Sequence, residues 1–260
     1  LLTLATTACS AAAGDDHAVI LVYHHVAEDT PRSTSVTPDQ FAAQLALIEE
    51  QGFTVRSLPQ LAQALAAGQT VPANSIAITF DDGYLSVYDA AWPALAERGW
   101  PFTVFVSSTA VDEGWAQTLS WAQLRELEAD GATIANHSSS HAHLVRRRNG
   151  ETRAAWRDRV AADIERAQRR LEAELKAPQR LFAYPYGEFD TELEDLVAEL
   201  GYIGFGQQSG PAGFTSAPTS LPRFPVASGF ADLDALLDKL HSRPLPITVL
   251  EPESRVLAAD

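Results

Sequence analysis

The chain has 260 residues, with 34 acidic against 19 basic side chains and a formal net charge of −15. That balance argues against a nucleic-acid binder, whose affinity rests on lysine and arginine placed against phosphate. With 46% hydrophobic and 20% charged residues and no long low-complexity tract, general disorder is excluded, while the length fits either one α/β barrel or two smaller domains.

Cys9 is the only cysteine, which rules out an intrachain disulfide and a cysteine-based zinc cluster. The segment Leu1-Leu2-Thr3-Leu4-Ala5-Thr6-Thr7-Ala8-Cys9-Ser10 reads as the apolar end of a secretory signal that runs into small residues and then a cysteine. It resembles a bacterial lipoprotein lipobox, although Thr6 and Thr7 fit that pattern imperfectly. The resemblance implies export to the bacterial cell envelope, acylation at Cys9 and a periplasmic or outer-membrane lipoprotein. Nothing later has the ~18 consecutive apolar residues of a spanning helix, so membrane attachment is expected only through this end. Residues 1–16 are therefore read as a signal remnant and spacer.

From residue 17 short apolar runs alternate with helical patterns. Strands are predicted at Val19–Tyr23, Ile76–Phe80, Phe102–Val106, Thr133–Ala135, Leu181–Tyr184 and Ile203–Gly206, with weaker ones at Phe53–Arg56 and Arg223–Val226. Thr37-Pro38-Asp39-Gln40 predicts a helix start with an N-cap, a proline in the first position and a capping-box glutamine, and Gly52 follows that helix. Ser120-Trp121-Ala122-Gln123 repeats the capping box, and Asp190 opens a helix closed by Gly201. Seven or eight strand–helix units without a linker fit a mainly parallel barrel better than two domains. The domain is expected over 17–243, followed by a proline-containing acidic tail at 244–260. Residues 146–170 hold nine arginines against four acids, read as a solvated helical face.

Four strand ends carry groups able to do chemistry. Ile76-Ala77-Ile78-Thr79-Phe80-Asp81-Asp82-Gly83 delivers two adjacent carboxylates into a glycine turn, at the strand end where parallel folds bind ligands. Adjacent residues leaving a strand point different ways, so one carboxylate can hold a metal while its neighbour stays free as a base. Ile134-Ala135-Asn136-His137-Ser138-Ser139-Ser140-His141-Ala142-His143 places three of the seven histidines in one short run. Two imidazoles four residues apart, with one aspartate, make a three-ligand site that leaves coordination open for water. Ala183-Tyr184-Pro185-Tyr186-Gly187 is a strand running into a turn whose aromatics could wall a groove and whose N–H groups could face an oxyanion. Val19–Tyr23 ends in His24-His25, one of which could donate a proton, and strand alternation sends only one of the pair toward the barrel mouth.

Together these residues resemble the polysaccharide deacetylases of the NodB-homology type, carbohydrate esterase family four, with Thr79–Gly83 and His137-Ser138-x-x-His141 in the family's order. The chain is most similar to the subgroup acting on biofilm poly-β-1,6-N-acetylglucosamine. The resemblance implies a distorted (β/α)7-type α/β barrel, a single catalytic domain circularly permuted relative to most of the family. It implies Asp81 as base, His24 as acid, and Asp82, His137 and His141 as ligands of a divalent metal, zinc first with cobalt or nickel as alternatives. It also implies an oxyanion and substrate-binding turn at Tyr184, Pro185 and Tyr186. Most of the family has an arginine where this chain has Ala183, and Arg223 could replace it from another strand; the aspartate–tryptophan motif that supports the acid has no counterpart. The implied partner is an acetylated polysaccharide, bound by a monomer. An O-acetyl esterase and a catalytically silent carbohydrate-binding relative are the alternatives.

Overall fold

The computed structural model describes residues 14–227 and 232–244. The Cys9 lipobox, and all of the expected tail but Pro244, lie outside the described residues. In chain order the elements that build the site are β1 (His17–Tyr23), α1 (Pro38–Glu50), β2 (Thr54–Val55), α2 (Leu58–Ala66), β3 (Ser75–Phe80) and α3 (Trp92–Ala96). They continue with β4 (Thr103–Val106), α4 (Ser108–Glu113), α5 (Trp121–Ala129), β5 (Thr133–Asn136), α6 (Arg153–Glu174), β6 (Leu181–Ala183) and α7 (Thr191–Glu199). The remainder are β7 (Ile203–Phe205), β8 (Ala212–Gly213), β9 (Phe224–Pro225) and α8 (Leu233–Leu240).

The sheet runs β7-β6-β5-β4-β3-β1 with every pair parallel, as the strand–helix alternation predicts. Every residue of β1, β3 and β4 is buried, the pattern of strands covered on both faces. The sheet then closes on itself. β9 pairs with β1 through Phe224↔Leu21 and Pro225↔Val22, while Leu221 bridges back to Phe205 on β7. The segment 221–225 thus stitches the two edges together by a narrow seam, which gives the expected distorted (β/α)7-type barrel. β8 adds a short antiparallel pairing at the start of β1, a strand absent from the sequence expectation.

Both capping boxes form: the Thr37 and Ser120 hydroxyls accept from the Gln40 and Gln123 backbone N–H groups, and each glutamine side chain returns to the cap N–H. Asp190 caps α7 through the Leu193 N–H. Inside the barrel, alternate strand residues Ala18, Ile20, Ala77, Phe105, Ala135 and Phe205 pack with Leu58, Leu61, Ala62 and Leu65 of α2. This short helix therefore fills the barrel end away from the strand C-termini. Ser57-Leu58-Pro59-Gln60 at its start has the capping-box pattern, but the Ser57 side chain makes no cap hydrogen bond.

The arginine-rich stretch is largely neutralised by pairing. Arg147 and Arg153 meet Glu192, Arg157 meets Glu199, Arg159 meets Glu151, and Arg170 joins Asp112 to Glu174. α6 buries Trp156, Val160, Ile164, Ala167 and Leu171 on its other face, which is the solvated amphipathic helix expected of 146–170.

Candidate metal and catalytic site

All four chemistry-bearing segments converge at the C-terminal mouth of the barrel. Asp82 leaves β3 in a left-handed conformation (φ +70) followed by Gly83 (φ +69). A side chain at position 83 would meet Val106 Cγ1 at 2.8 Å, so only glycine lets this turn lie against β4. Ser138, His141 and Tyr186 also adopt positive φ. Such conformations cost about 1–3 kcal/mol each in non-glycine residues and persist where surrounding contacts hold them.

The contacts are visible for the histidine loop. Asn136 donates through its side-chain amide to the Ile164 carbonyl and accepts from the Ser138 N–H. The Asp163 carboxylate of α6 accepts the N–H groups of Ser139 (2.8 Å) and Ser140 (3.1 Å). Ser108 and Thr109, opening α4, donate their N–H groups to the Ser138 and Ser139 carbonyls. The loop is thereby fixed from two sides before any ligand enters.

On that support, His137 Nε2 and His141 Nε2 lie 3.2 and 2.9 Å from Asp82 Oδ1. One donor atom from each of these residues falls within 4.8 Å of the other two. The His137 Nδ1 lies 2.8 Å from the Ala183 carbonyl, which can only accept, so the proton sits on Nδ1 and Nε2 is left as a donor lone pair. Burial alone would raise the Asp82 carboxyl, but the His137 and His141 rings set against Oδ1 outweigh it and hold it far below the usual range. An ionised carboxylate with two ring nitrogens, one of fixed tautomer, suits a divalent ion of the zinc class.

Asp81 is fully buried beside this cluster. Arg223 grips it in a bidentate pair, Nη1 to Oδ1 and Nη2 to Oδ2, each 2.7 Å. The guanidinium also donates from Nε to the Gly206 carbonyl and from Nη1 to Thr79 Oγ1, and lies over the Phe105 ring. Burial would raise the Asp81 carboxyl; Arg223, His137 and His24 together reverse that and hold it below its ordinary value. Ala183 points into the same barrel interior, and the guanidinium there comes from Arg223, which the closing seam carries to Asp81.

His24 borders the cleft with Asp82, His137, His141, Tyr186 and Gln207. His25 is buried and stacks on Tyr84 at 3.6 Å between centroids. Tyr186 is 51% exposed, its ring flat on His143 at 4.1 Å and edge-on to His141, while its backbone N–H has no acceptor among the described residues. His143 pairs with Glu188 at 2.8 Å and stands outside the three-ligand cluster. Tyr184 differs from expectation. It is fully buried with its hydroxyl donating to the Thr219 carbonyl, so it anchors the turn from the core and does not face substrate; Pro185 is buried too.

Alanine in place of Asp82, His137 or His141 is expected to strip bound metal, since a three-ligand site has no ligand to spare. His143→Ala should keep the metal. Metal content after dialysis checks both; loss from the His143 variant with retention in the His141 variant would show that the ligand register is wrong.

Residues 68–204 match the family described as polysaccharide deacetylase. The poly-β-1,6-N-acetyl-D-glucosamine N-deacetylase of Escherichia coli K12 is 26% identical over 248 residues, spanning 81% of this chain. The chain covers only 36% of that relative's length. The enzyme of the same name from Staphylococcus aureus N315 is 22% identical over 85% of this chain and 78% of its own. Among solved structures, IcaB from Ammonifex degensii matches with TM-score 0.75 and 26% identity, covering 87% of this chain and 98% of that one. The Streptococcus pyogenes deacetylase PplD in complex with acetate matches with TM-score 0.77 and 23% identity, covering 86% and 98%.

Proposed function

Because the chain belongs to the polysaccharide deacetylase family, we propose that it hydrolyses N-acetyl groups of an exported N-acetylglucosamine polysaccharide such as poly-β-1,6-N-acetylglucosamine, the polymer in the names of its relatives. The observation that carries the reading is the pairing of two neighbouring aspartates with different partners: Asp82 with two imidazoles, Asp81 with Arg223. The first arrangement suits a metal and the second keeps a carboxylate ionised and unligated.

When bound by Asp82, His137 and His141, a divalent ion, zinc first with cobalt or nickel as alternatives, would supply Lewis-acid polarisation and a water of lowered pKa. Asp81, held ionised by Arg223, accepts the proton of the attacking water. The Tyr186 N–H, lacking an internal acceptor, donates to the acetamido oxygen as negative charge develops there. His24 on the same cleft gives a proton to the departing amine nitrogen, which is otherwise a poor leaving group. The amide C–N bond breaks, the water oxygen stays on the acyl carbon, and acetate and a free amino sugar leave.

Acetate release from N-acetylglucosamine oligomers, assayed beside O-acetylated xylan, tests this. Release from the oligomers is expected to fall by about 10²-fold or more with a chelator and to return with zinc. Oligomer binding without metal-dependent acetate would make the protein a binding module, and release from xylan alone would make it an esterase.

A further inference from the structure

The described residues include four exposed large apolar side chains, Trp115, Tyr186, Phe214 and Leu233. Two of them border the metal ligands. Phe214, whose N–H donates to the Asp16 carbonyl at the start of β1, sits at the opposite end of the barrel. Trp115 is 50% exposed yet held in place. Its indole Nε1–H donates to Glu113 Oε2 at 2.7 Å, and its backbone N–H donates to the Ala110 carbonyl just past the end of α4. Gly114, left-handed at φ +63, turns the chain so that the ring projects beyond the helix.

Ala110, Trp115, Thr118 and Tyr84 wall a depression that also reaches Asp82 and His141. The cleft on the other side, bordered by His24, Tyr186 and Gln207, shares Asp82, Tyr84 and His141. Two exposed aromatic rings therefore flank one set of ligand residues, each in a depression continuous with it. An aromatic ring held in water by its own hydrogen bonds is apolar area kept uncovered, and its ordering cost falls on the fold, not on binding. The C–H face of a pyranose is a fitting cover, since it presents weakly positive hydrogens to the electron-rich ring face.

We propose that Trp115 forms a second sugar subsite, which takes the residue next to the one whose acetyl group lies at Asp82, His137 and His141. This rests on the polysaccharide reading above and deepens it: the protein recognises at least two consecutive sugars, with Trp115 as the platform on one side. Thr118 beside the ring offers a hydroxyl for the sugar's polar edge.

Binding can be measured without turnover, by calorimetric titration of metal-loaded Asp81→Asn protein with N-acetylglucosamine oligomers of increasing length from the monomer. Affinity of the Trp115 parent should rise with length. Adding Trp115→Ala should weaken binding of the longer oligomers about tenfold, the least expected of an aromatic anchor, and leave the monomer unchanged. Trp115→Phe, which keeps a ring but loses the bond to Glu113, should fall between them. No length dependence in the parent, the same dependence without Trp115, or an equal loss on the monomer would each overturn the subsite. Failure of the wild-type protein to release acetate would instead count against the proposed reaction, and the titration would still report on Trp115.

Discussion

Replacing Arg223 with methionine is expected to cost the fold about 3–5 kcal/mol and turnover about 10²-fold or more. The reason is the position of the pair. Both side chains are fully buried and joined by two 2.7 Å contacts, so removing the guanidinium strands a carboxylate with no water to solvate it. The surviving Gln207 contact to Asp81, at 3.4 Å, is too long to compensate. The pH dependence should change with it. Burial acts to raise the Asp81 carboxyl, and the wild-type value falls below normal because Arg223, His137 and His24 outweigh burial. A base works only when ionised, so the acid limb of the wild-type profile should lie below the ordinary carboxylate range. Without Arg223 burial regains the upper hand, the carboxyl rises, and the acid limb should move to higher pH, with the activity loss greatest in acid. Stability follows the same sign. In the wild type a depressed carboxyl contributes stability that is fully present above the unfolded aspartate value and lost as pH falls through the folded one. Urea melts across pH and a kcat/KM profile check both halves. A variant with the wild-type midpoint and the wild-type acid limb would show that the pair neither holds the fold nor tunes the base.

That pair also marks where the sequence stops being legible. Asp82, His137 and His141 stand in two local motifs, and a strand-end argument with the four-residue histidine spacing was enough to bring them together. Asp81 and Arg223 are 142 positions apart; the family resemblance already offers Arg223 as the stand-in for the arginine missing at Ala183, but the closure of the barrel through 221–225 that brings it to Asp81 has no local signature. Asp163 left a fainter trace. It is an acid among the buried residues Trp156, Val160, Ile164 and Ala167 of α6, and a charged residue on an apolar face implies a partner, here the Ser139 and Ser140 N–H groups. Tyr184 misled for the opposite reason: an aromatic next to a functional turn reads as groove lining, whereas side chains along a strand alternate and this one turns into the core. The strands themselves were found because buried parallel strands read as apolar runs. β8 was missed because two residues, Ala212 and Gly213, carry no such run.

His24→Ala is expected to cut turnover by about 10²–10⁴-fold with metal content unchanged, whereas His25→Ala should leave turnover near wild type. The two neighbours differ in surroundings. His24 looks into the cleft beside Asp82, His137 and His141, while His25 is covered by the Tyr84 ring and donates its backbone N–H to the Thr34 carbonyl. Loss of the His25 ring should therefore be felt as lost packing. For His24 the pH profile gives a second readout. Burial lowers its pKa, with Arg223 and His137 adding to that, and the charges of Asp81 and Asp82 only partly oppose it. A proton donor acts in its protonated form, so the basic limb of kcat/KM should fall at a pH below the ordinary histidine value. Folding couples with the matching sign: stability is full above the unfolded histidine value and declines as pH drops through the folded one, because a buried imidazole resists taking the proton. No carboxylate accepts a hydrogen bond from the His24 ring among the described residues, so its basicity is not restored in the way a supporting aspartate would restore it. Introducing His24→Ala should accordingly remove that basic limb while leaving the acid limb set by Asp81 in place. If His25→Ala instead shows the kinetic loss and His24→Ala stays active, the proton reaches the leaving amine from the other face of this turn, and the role given to His24 falls.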